Sequence, residues 1–98
     1  MTEKLELGFN LPAKVGQALN EICTPALIVD LDAFERNVAT MKRYTEDNNI
    51  RLRAHAKTHK SADISAYLVE KGGCCGICCQ KLSEAEGLIR AGVEDILL

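Results

Sequence analysis

The feature that most constrains the fold of this chain is a regular alternation of short apolar runs with amphipathic segments. After a start that lacks clear periodicity, β-type runs begin near residues 25, 51, 75 and 95, and segments with helical spacing separate them. Short connections between alternating strands and helices favour parallel pairing through right-handed crossovers. The predicted order is therefore β-α-β-α-β-α-β, in an α/β fold.

The first two predicted elements are a strand over residues 25–29 and a long helix. Asp32 and Glu35 have the spacing of a capping box at the start of that helix. Asn48 and Asn49 predict its end, because asparagine tolerates the left-handed backbone of a helix stop. The helix is expected to bury one stripe, formed by Phe34, Val38, Met41 and Thr45.

The segment 50–57 alternates strictly between apolar and polar residues, which predicts a strand with two different faces. Leu52, Ala54 and Ala56 share one face. The other face carries Arg51, Arg53, His55 and Lys57.

Two more helices and a cysteine-rich strand are predicted after this segment. Gly72 and Gly73 should end the second helix, whose apolar stripe is Ile64, Tyr67 and Leu68. Residues 74–79 are a short apolar run and predict a strand. Ser83 and Glu86 are spaced as a second capping box, and the apolar residues of that helix are Ala85, Leu88 and Ile89.

The length of 98 residues allows about three of the eight units of a (β/α)8 TIM-type barrel, since such a barrel takes about 250 residues. We expect residues 1–23 to be an N-terminal extension and residues 24–98 to be a partial barrel domain. The chain ends inside an apolar strand, so we expect a fragment of a longer protein. By itself such a piece should be inactive and prone to aggregate through its open strand edges.

Composition argues against several classes of protein. The formal net charge of −2 lacks the basic excess of a duplex nucleic-acid binder. No apolar run approaches the roughly 20 residues of a membrane helix. The N-terminus lacks the apolar region of a signal peptide. Five cysteines without a secretory signal predict reduced thiols in a cytoplasmic protein.

Lys57 is the first candidate for catalysis, because it lies at the carboxyl end of a predicted parallel strand, where barrel active sites are built. If the surroundings shield it partly from water, the amine favours its neutral, nucleophilic form and can make a Schiff base. The alternative is an ordinary solvated basic loop, Lys57-Thr58-His59-Lys60.

Three other groups have both a functional and a structural interpretation. His55 is expected near a ligand on the face of Lys57, and a metal site made with His59 is disfavoured because the segment is a strand and not a helix. Gln80 lies at the same rim and is either a ligand contact or a helix-entry residue. The motif Cys75-Gly76-Ile77-Cys78 lacks a second ligand pair, so buried packing is favoured over zinc, and no metal ligand is assigned.

Three strings, in this order and spacing, resemble one enzyme family. They are residues 24–32, residues 53–60 with the sequence Arg-Ala-His-Ala-Lys-Thr-His-Lys, and residues 76–86 with Cys-Cys-Gln-Lys. They are similar to the N-terminal part of fold-type III pyridoxal-phosphate enzymes, the alanine racemase-like barrels. The closest branch contains D-threonine aldolase, 3-hydroxy-D-aspartate aldolase and D-serine dehydratase. Ala54 departs mildly from that pattern, which often has proline or serine there.

The resemblance implies that Lys57 binds pyridoxal 5'-phosphate covalently and that His55 lies beside the cofactor on the same strand face; Gln80 is a candidate cofactor contact from its position at the rim alone. It implies a lyase that cleaves a D-configured β-hydroxy amino acid, with a divalent metal whose ligands lie outside this chain. The small-molecule substrate is the expected partner, with no nucleic acid or membrane. Open alternatives are a D-serine dehydratase-type ammonia-lyase, a non-catalytic pyridoxal-phosphate-binding protein and a redox or zinc module. A homodimer is one open oligomeric state.

Overall fold

The computed structural model describes residues 4–98 and divides the chain into two compact units, one ending at Asp30 and one spanning Leu31–Leu98. The first unit contains a 3-10 helix at Leu19–Glu21 and an isolated bridge between Leu7 and Leu11. The division follows Asp30. The domain boundary expected between residues 23 and 24 stays a prediction.

The second unit is an α/β layer built on a three-stranded parallel sheet with the strand order β1-β2-β3. This arrangement confirms the predicted parallel α/β architecture. The elements are α1 (Leu31–Asp47), β1 (Leu52–His55), α2 (Ala62–Glu70), β2 (Cys74–Cys78), α3 (Leu82–Arg90) and β3 (Ile96–Leu97).

The strand predicted over residues 25–29 is wrong for the part of the chain that the structure describes. These residues have irregular backbone, and the side chain of Leu27 is fully exposed. An apolar, β-branched run becomes a strand only when a neighbour takes its backbone hydrogen bonds. Within the described residues, the run at residues 25–29 takes part in no strand pairing.

The core lies between the sheet and its helices, on the face that the alternation in residues 50–57 predicts. Ala56 is buried and Ala54 packs beside it, while His55 is exposed. Ile77 of β2 is completely buried at the centre. The remaining members of the buried cluster are Cys79, Ala85, Leu88 and Val93.

The apolar stripes of the three helices are mostly confirmed. In α1, Thr45 is buried, and the ring of Phe34 lies 5.2 Å from that of Tyr67 in α2. Met41 and Ile89 were predicted to be buried, but they are 49% and 58% exposed.

The helix ends show which local signals were correct. Asn49 ends α1 and Gly73 follows α2, with φ angles of 52° and 71°, as the sequence predicts. Ser61 caps α2 by accepting a hydrogen bond from the backbone N–H of Ile64.

Among residues 4–98, no helix combines the length and apolar character needed to cross a bilayer.

The predicted capping box of Ser83 and Glu86 is wrong. Helix α3 begins at Leu82, so Ser83 is already inside it. The carboxylate that reaches back to the start of the helix belongs to Glu84, which accepts from the backbone N–H of Lys81 at 3.0 Å.

Candidate functional site

The candidate site lies at the carboxyl edge of the sheet, where the strands pass into turns. The backbone N–H of Ala56 donates to the carbonyl of Cys78 at 2.8 Å, so the ladder continues just past the end of β1. Lys57 and Gln80 follow this bond by one and two residues along their own segments. The structure therefore brings the two predicted site residues to the same rim.

Lys57 lies in a turn that closes immediately after β1. The backbone N–H of Lys60 donates to the carbonyl of Ala56 at 2.8 Å and completes that turn. The side chain of Lys57 is exposed and makes no hydrogen bond or ion pair with residues 4–98. The amine thus has no partner within residues 4–98, but these residues do not shield it from water as expected from the sequence.

His55 and His59 each accept a hydrogen bond of the same local kind, from the backbone N–H two residues later. The Nδ1 atom of His55 accepts the backbone N–H of Lys57 at 3.1 Å, and the Nδ1 atom of His59 accepts that of Ser61 at 2.9 Å. Each bond fixes the ring to its own turn and leaves Nε2 to carry the proton of a neutral imidazole. Both histidines are therefore arranged for local backbone contacts.

The second nitrogen of His59 is a separate feature of this turn. Its Nε2 atom is buried and has no hydrogen-bond partner among residues 4–98. Removal from water lowers the pKa of His59, which favours the neutral ring. A buried N–H without an acceptor is costly, so this atom marks a position where a further acceptor would be stabilising.

Gln80 is exposed at the turn between β2 and α3, and its backbone N–H donates to a carboxylate oxygen of Glu84 at 2.8 Å. The side chain of Glu84 is only 12% exposed and also pairs with the amine of Lys60. The hydrogen bond from Lys60, with the two backbone N–H groups, lowers the pKa of Glu84 to about 2. One carboxylate therefore contacts both turns of the rim.

Arg53 lies on the same strand face as His55 but two residues nearer the start of β1. Its guanidinium pairs with the carboxylate of Asp95 at 2.8 Å and donates to the carbonyl of Asp95 at 3.2 Å. The hydrogen bond to Asp95 raises the pKa of Arg53. In the register, Arg53 is beside Gly76, so the side chain crosses the central strand at a residue without a Cβ.

The five cysteines are all free thiols. Cys74 and Cys79 are buried, whereas Cys75 and Cys78 are half-buried, less than the sequence analysis predicts. Burial raises the pKa of the thiols of Cys74 and Cys79, which makes them poor nucleophiles. No group of three or more His, Cys, Asp or Glu residues within residues 4–98 is placed to hold a metal ion.

We expect the double substitution Cys75→Ala and Cys78→Ala to lower the free energy of unfolding of the complete protein by about 1–2 kcal/mol, because each removes a partly buried sulfur. Metal content should stay unchanged. Denaturant unfolding and elemental analysis give the two measurements. Loss of stoichiometric zinc from the double variant would show that the packing interpretation is wrong.

Three features of the rim and sheet face were not identified from the sequence. They are the contacts of Glu84, the contacts of Asp95 and the ion pair made by Lys60. The 24-residue separation of Lys60 and Glu84 matches one βα repeat, which is the signal that could have linked them. The role of Glu84 at the start of α3 was hard to predict because the residue before that helix, Lys81, is not a type that usually caps a helix.

Comparison with known proteins gives a consistent family. Residues 29–98 match the family described as the alanine racemase N-terminal domain. The chain is 46% identical over 93 residues to 3-hydroxy-D-aspartate aldolase of Paracoccus denitrificans, covering 95% of this chain and 24% of that protein. It is 42% identical over 74 residues to D-threo-3-hydroxyaspartate dehydratase of a Delftia species, covering 76% of this chain and 19% of that protein.

A solved structure agrees with these relatives. The crystal structure of D-threonine aldolase from Filomicrobium marinum superposes with a TM-score of 0.82 at 48% identity, covering 87% of this chain and 23% of that one. The chain thus spans about a quarter of the length of the aldolases it matches.

Proposed function

This chain belongs to the alanine racemase N-terminal domain family, and from that premise we propose that the complete protein is a pyridoxal-phosphate-dependent lyase. The reaction is cleavage of a D-configured β-hydroxy amino acid between its α and β carbons, with 3-hydroxy-D-aspartate or D-threonine as the substrate type. The observation that carries this proposal is Lys57, an uncommitted amine in the turn after β1, in a chain similar to two such aldolases.

The residues at the rim fit pyridoxal phosphate in their chemistry. Lys57 supplies a primary amine for covalent attachment at Nζ. His55, with Nδ1 bound to the backbone N–H of Lys57, leaves Nε2 to hold or transfer a proton. Gln80 supplies an amide that both donates and accepts hydrogen bonds from the next turn. The cofactor, when bound, serves as an electron sink for the carbanion that bond cleavage leaves.

A divalent metal is also proposed for the complete protein. A metal next to the β-hydroxyl of the substrate polarises it and makes loss of its proton easier. The ligands are proposed to come from outside residues 4–98, within which no cluster of metal-binding side chains occurs.

Elimination of water, followed by hydrolytic release of ammonia, is the second candidate reaction, because one relative is D-threo-3-hydroxyaspartate dehydratase. Both reactions begin with the same amine chemistry at Lys57. They differ in which bond breaks at the β carbon, the Cα–Cβ bond in cleavage and the bond to the hydroxyl in elimination.

We expect the purified complete protein with added pyridoxal phosphate and a divalent metal to convert 3-hydroxy-D-aspartate into glycine and glyoxylate. Chromatographic detection of both products, in equal amounts, checks this result. The L-configured substrate is the control and should remain unchanged. Ammonia and oxaloacetate as products would instead establish the dehydratase, and no turnover of any D-β-hydroxy amino acid would contradict the lyase proposal.

The partner and location proposed follow from the same residues. We propose a small D-amino acid as the ligand, with neither nucleic acid nor membrane as a partner. A cytoplasmic location is supported by the five free thiols, since a reducing compartment keeps cysteines unpaired.

A further inference from the structure

The two turns that carry Lys57 and Gln80 come from different βα units, yet both must hold their side chains at one point of the rim if the proposed function is correct. Loops are usually the most mobile parts of a fold. A contact that joins the two turns would therefore decide how well Lys57 and Gln80 are placed relative to each other.

Lys60 ends the first turn in an unusual conformation. Its φ angle is 51°, in the left-handed region that residues with a Cβ rarely adopt. Such a conformation persists when surrounding contacts determine it. Lys60 makes two such contacts, the hydrogen bond from its backbone N–H to the carbonyl of Ala56 and the ion pair of its amine with Glu84.

Glu84 connects that ion pair to the second turn. One carboxylate oxygen contacts the amine of Lys60, and the other accepts the backbone N–H groups of Gln80 and Lys81 at 2.8 and 3.0 Å. The side chain of Glu84 is 12% exposed and that of Lys60 is 62% exposed, so solvent screens the ion pair in part. Charge-assisted bonds of this kind are the stronger hydrogen bonds in proteins.

We propose that Lys60 and Glu84 form a brace that holds the turn of Lys57 against the turn of Gln80, so that Lys60 is a positioning residue for the reaction. This inference rests on the proposed function. The Lys60 side chain is 62% exposed, so the brace acts mainly on the geometry of the rim and little on the stability of the whole fold.

The test compares Lys60→Met with Lys81→Met in the complete protein. Lys81 lies in the turn of Gln80, and its side chain makes no hydrogen bond or ion pair with residues 4–98, which makes it a matched control. At saturating cofactor, Lys60→Met should keep the visible absorption of bound pyridoxal phosphate. It should lower kcat about tenfold with little change in KM and alter the visible circular dichroism of the bound ring.

Conservative and paired variants separate positioning from general damage. Lys60→Arg should restore most of kcat, because arginine keeps the charge. Glu84→Gln retains an oxygen for the two backbone N–H groups while losing the charge, so it should match Lys60→Met. The double variant should be no worse than either single one, since both remove the same interaction.

Hydrogen exchange on the cofactor-free protein tests the brace independently of the proposed function. Lys60→Met should accelerate exchange at the backbone amides of Gln80 and Lys81, and Glu84→Gln should accelerate it at Lys60. Unchanged exchange across the two turns would overturn the brace. Accelerated exchange with unaltered kcat and circular dichroism would overturn the positioning role. Confirmed exchange in a protein that binds no pyridoxal phosphate would instead reject the proposed lyase.

Discussion

Lys57→Ala should remove both the visible absorption of bound cofactor and the lyase activity of the complete protein, with kcat falling by at least about a thousandfold. The amine lies in the turn after β1 and has no hydrogen bond or ion pair with residues 4–98, so no structural contact is lost with it. Covalent attachment requires this primary amine, and alanine cannot replace it. Absorption spectra and steady-state rates measure the two effects.

Lys60→Ala is the control for attachment, since Lys60 lies three residues later and its amine is paired with Glu84. That variant should keep the visible absorption, even though its rate falls. Borohydride reduction followed by peptide mapping should place the pyridoxyl group on Lys57 alone. A Lys57→Ala protein that retains both absorption and turnover would refute the assignment and most of the argument for this enzyme class.

Gly76→Ala should be the most damaging small substitution in the sheet. A Cβ at this residue would lie 2.5 Å from the backbone carbonyl of Asp95 and would also meet the guanidinium of Arg53. A side chain can move away, but the Asp95 carbonyl accepts the backbone N–H of Ile77 at 2.9 Å and so belongs to the ladder. We expect the free energy of unfolding to fall by about 1–3 kcal/mol, measured with denaturant.

Gly87→Ala is the matched control for this substitution. Gly87 lies inside α3, and a Cβ there meets no atom within 4 Å. Alanine in a helix interior should raise the free energy of unfolding by about 0.5–1 kcal/mol. Adding Arg53→Met to Gly76→Ala should recover only part of the loss, because the carbonyl remains. Full recovery would show that the side chain, and not the backbone, is the obstacle.

Local patterns predicted the parts of the fold that local chemistry determines. The alternation around Ala54 and Ala56 identified the buried face of β1, and Asn49 marked the end of α1. The same approach misplaced the start of α3. At that start the carboxylate of Glu84 accepts the backbone N–H groups of Gln80 and Lys81, and neither of these residue types signals the beginning of a helix. The strand predicted over residues 25–29 is wrong for another reason, since a β-type composition does not supply a partner strand.

The position of Lys57 at the rim followed from the sequence, because parallel strands place their carboxyl ends together. Contacts across the sheet did not follow. Arg53 meets Asp95 over 42 residues, and Lys60 meets Glu84 over 24. Which side chains meet at those separations depends on strand register, including the irregularity between Leu52 and Arg53 that periodicity cannot reveal.

The shared carboxylate of Glu84 sets a rule for how these turns tolerate insertions and deletions. The ladder fixes where β1 and β2 end, and three residues separate Ala56 from Lys60 just as three separate Gln80 from Glu84. One added residue in either segment would displace its end by up to roughly 3.3 Å, a shift as large as an ion-pair distance. Thr58, in the turn after β1, and Ser83, in the first turn of α3, are exposed, so substitutions at these two residues should be tolerated better than a change in the length of either segment.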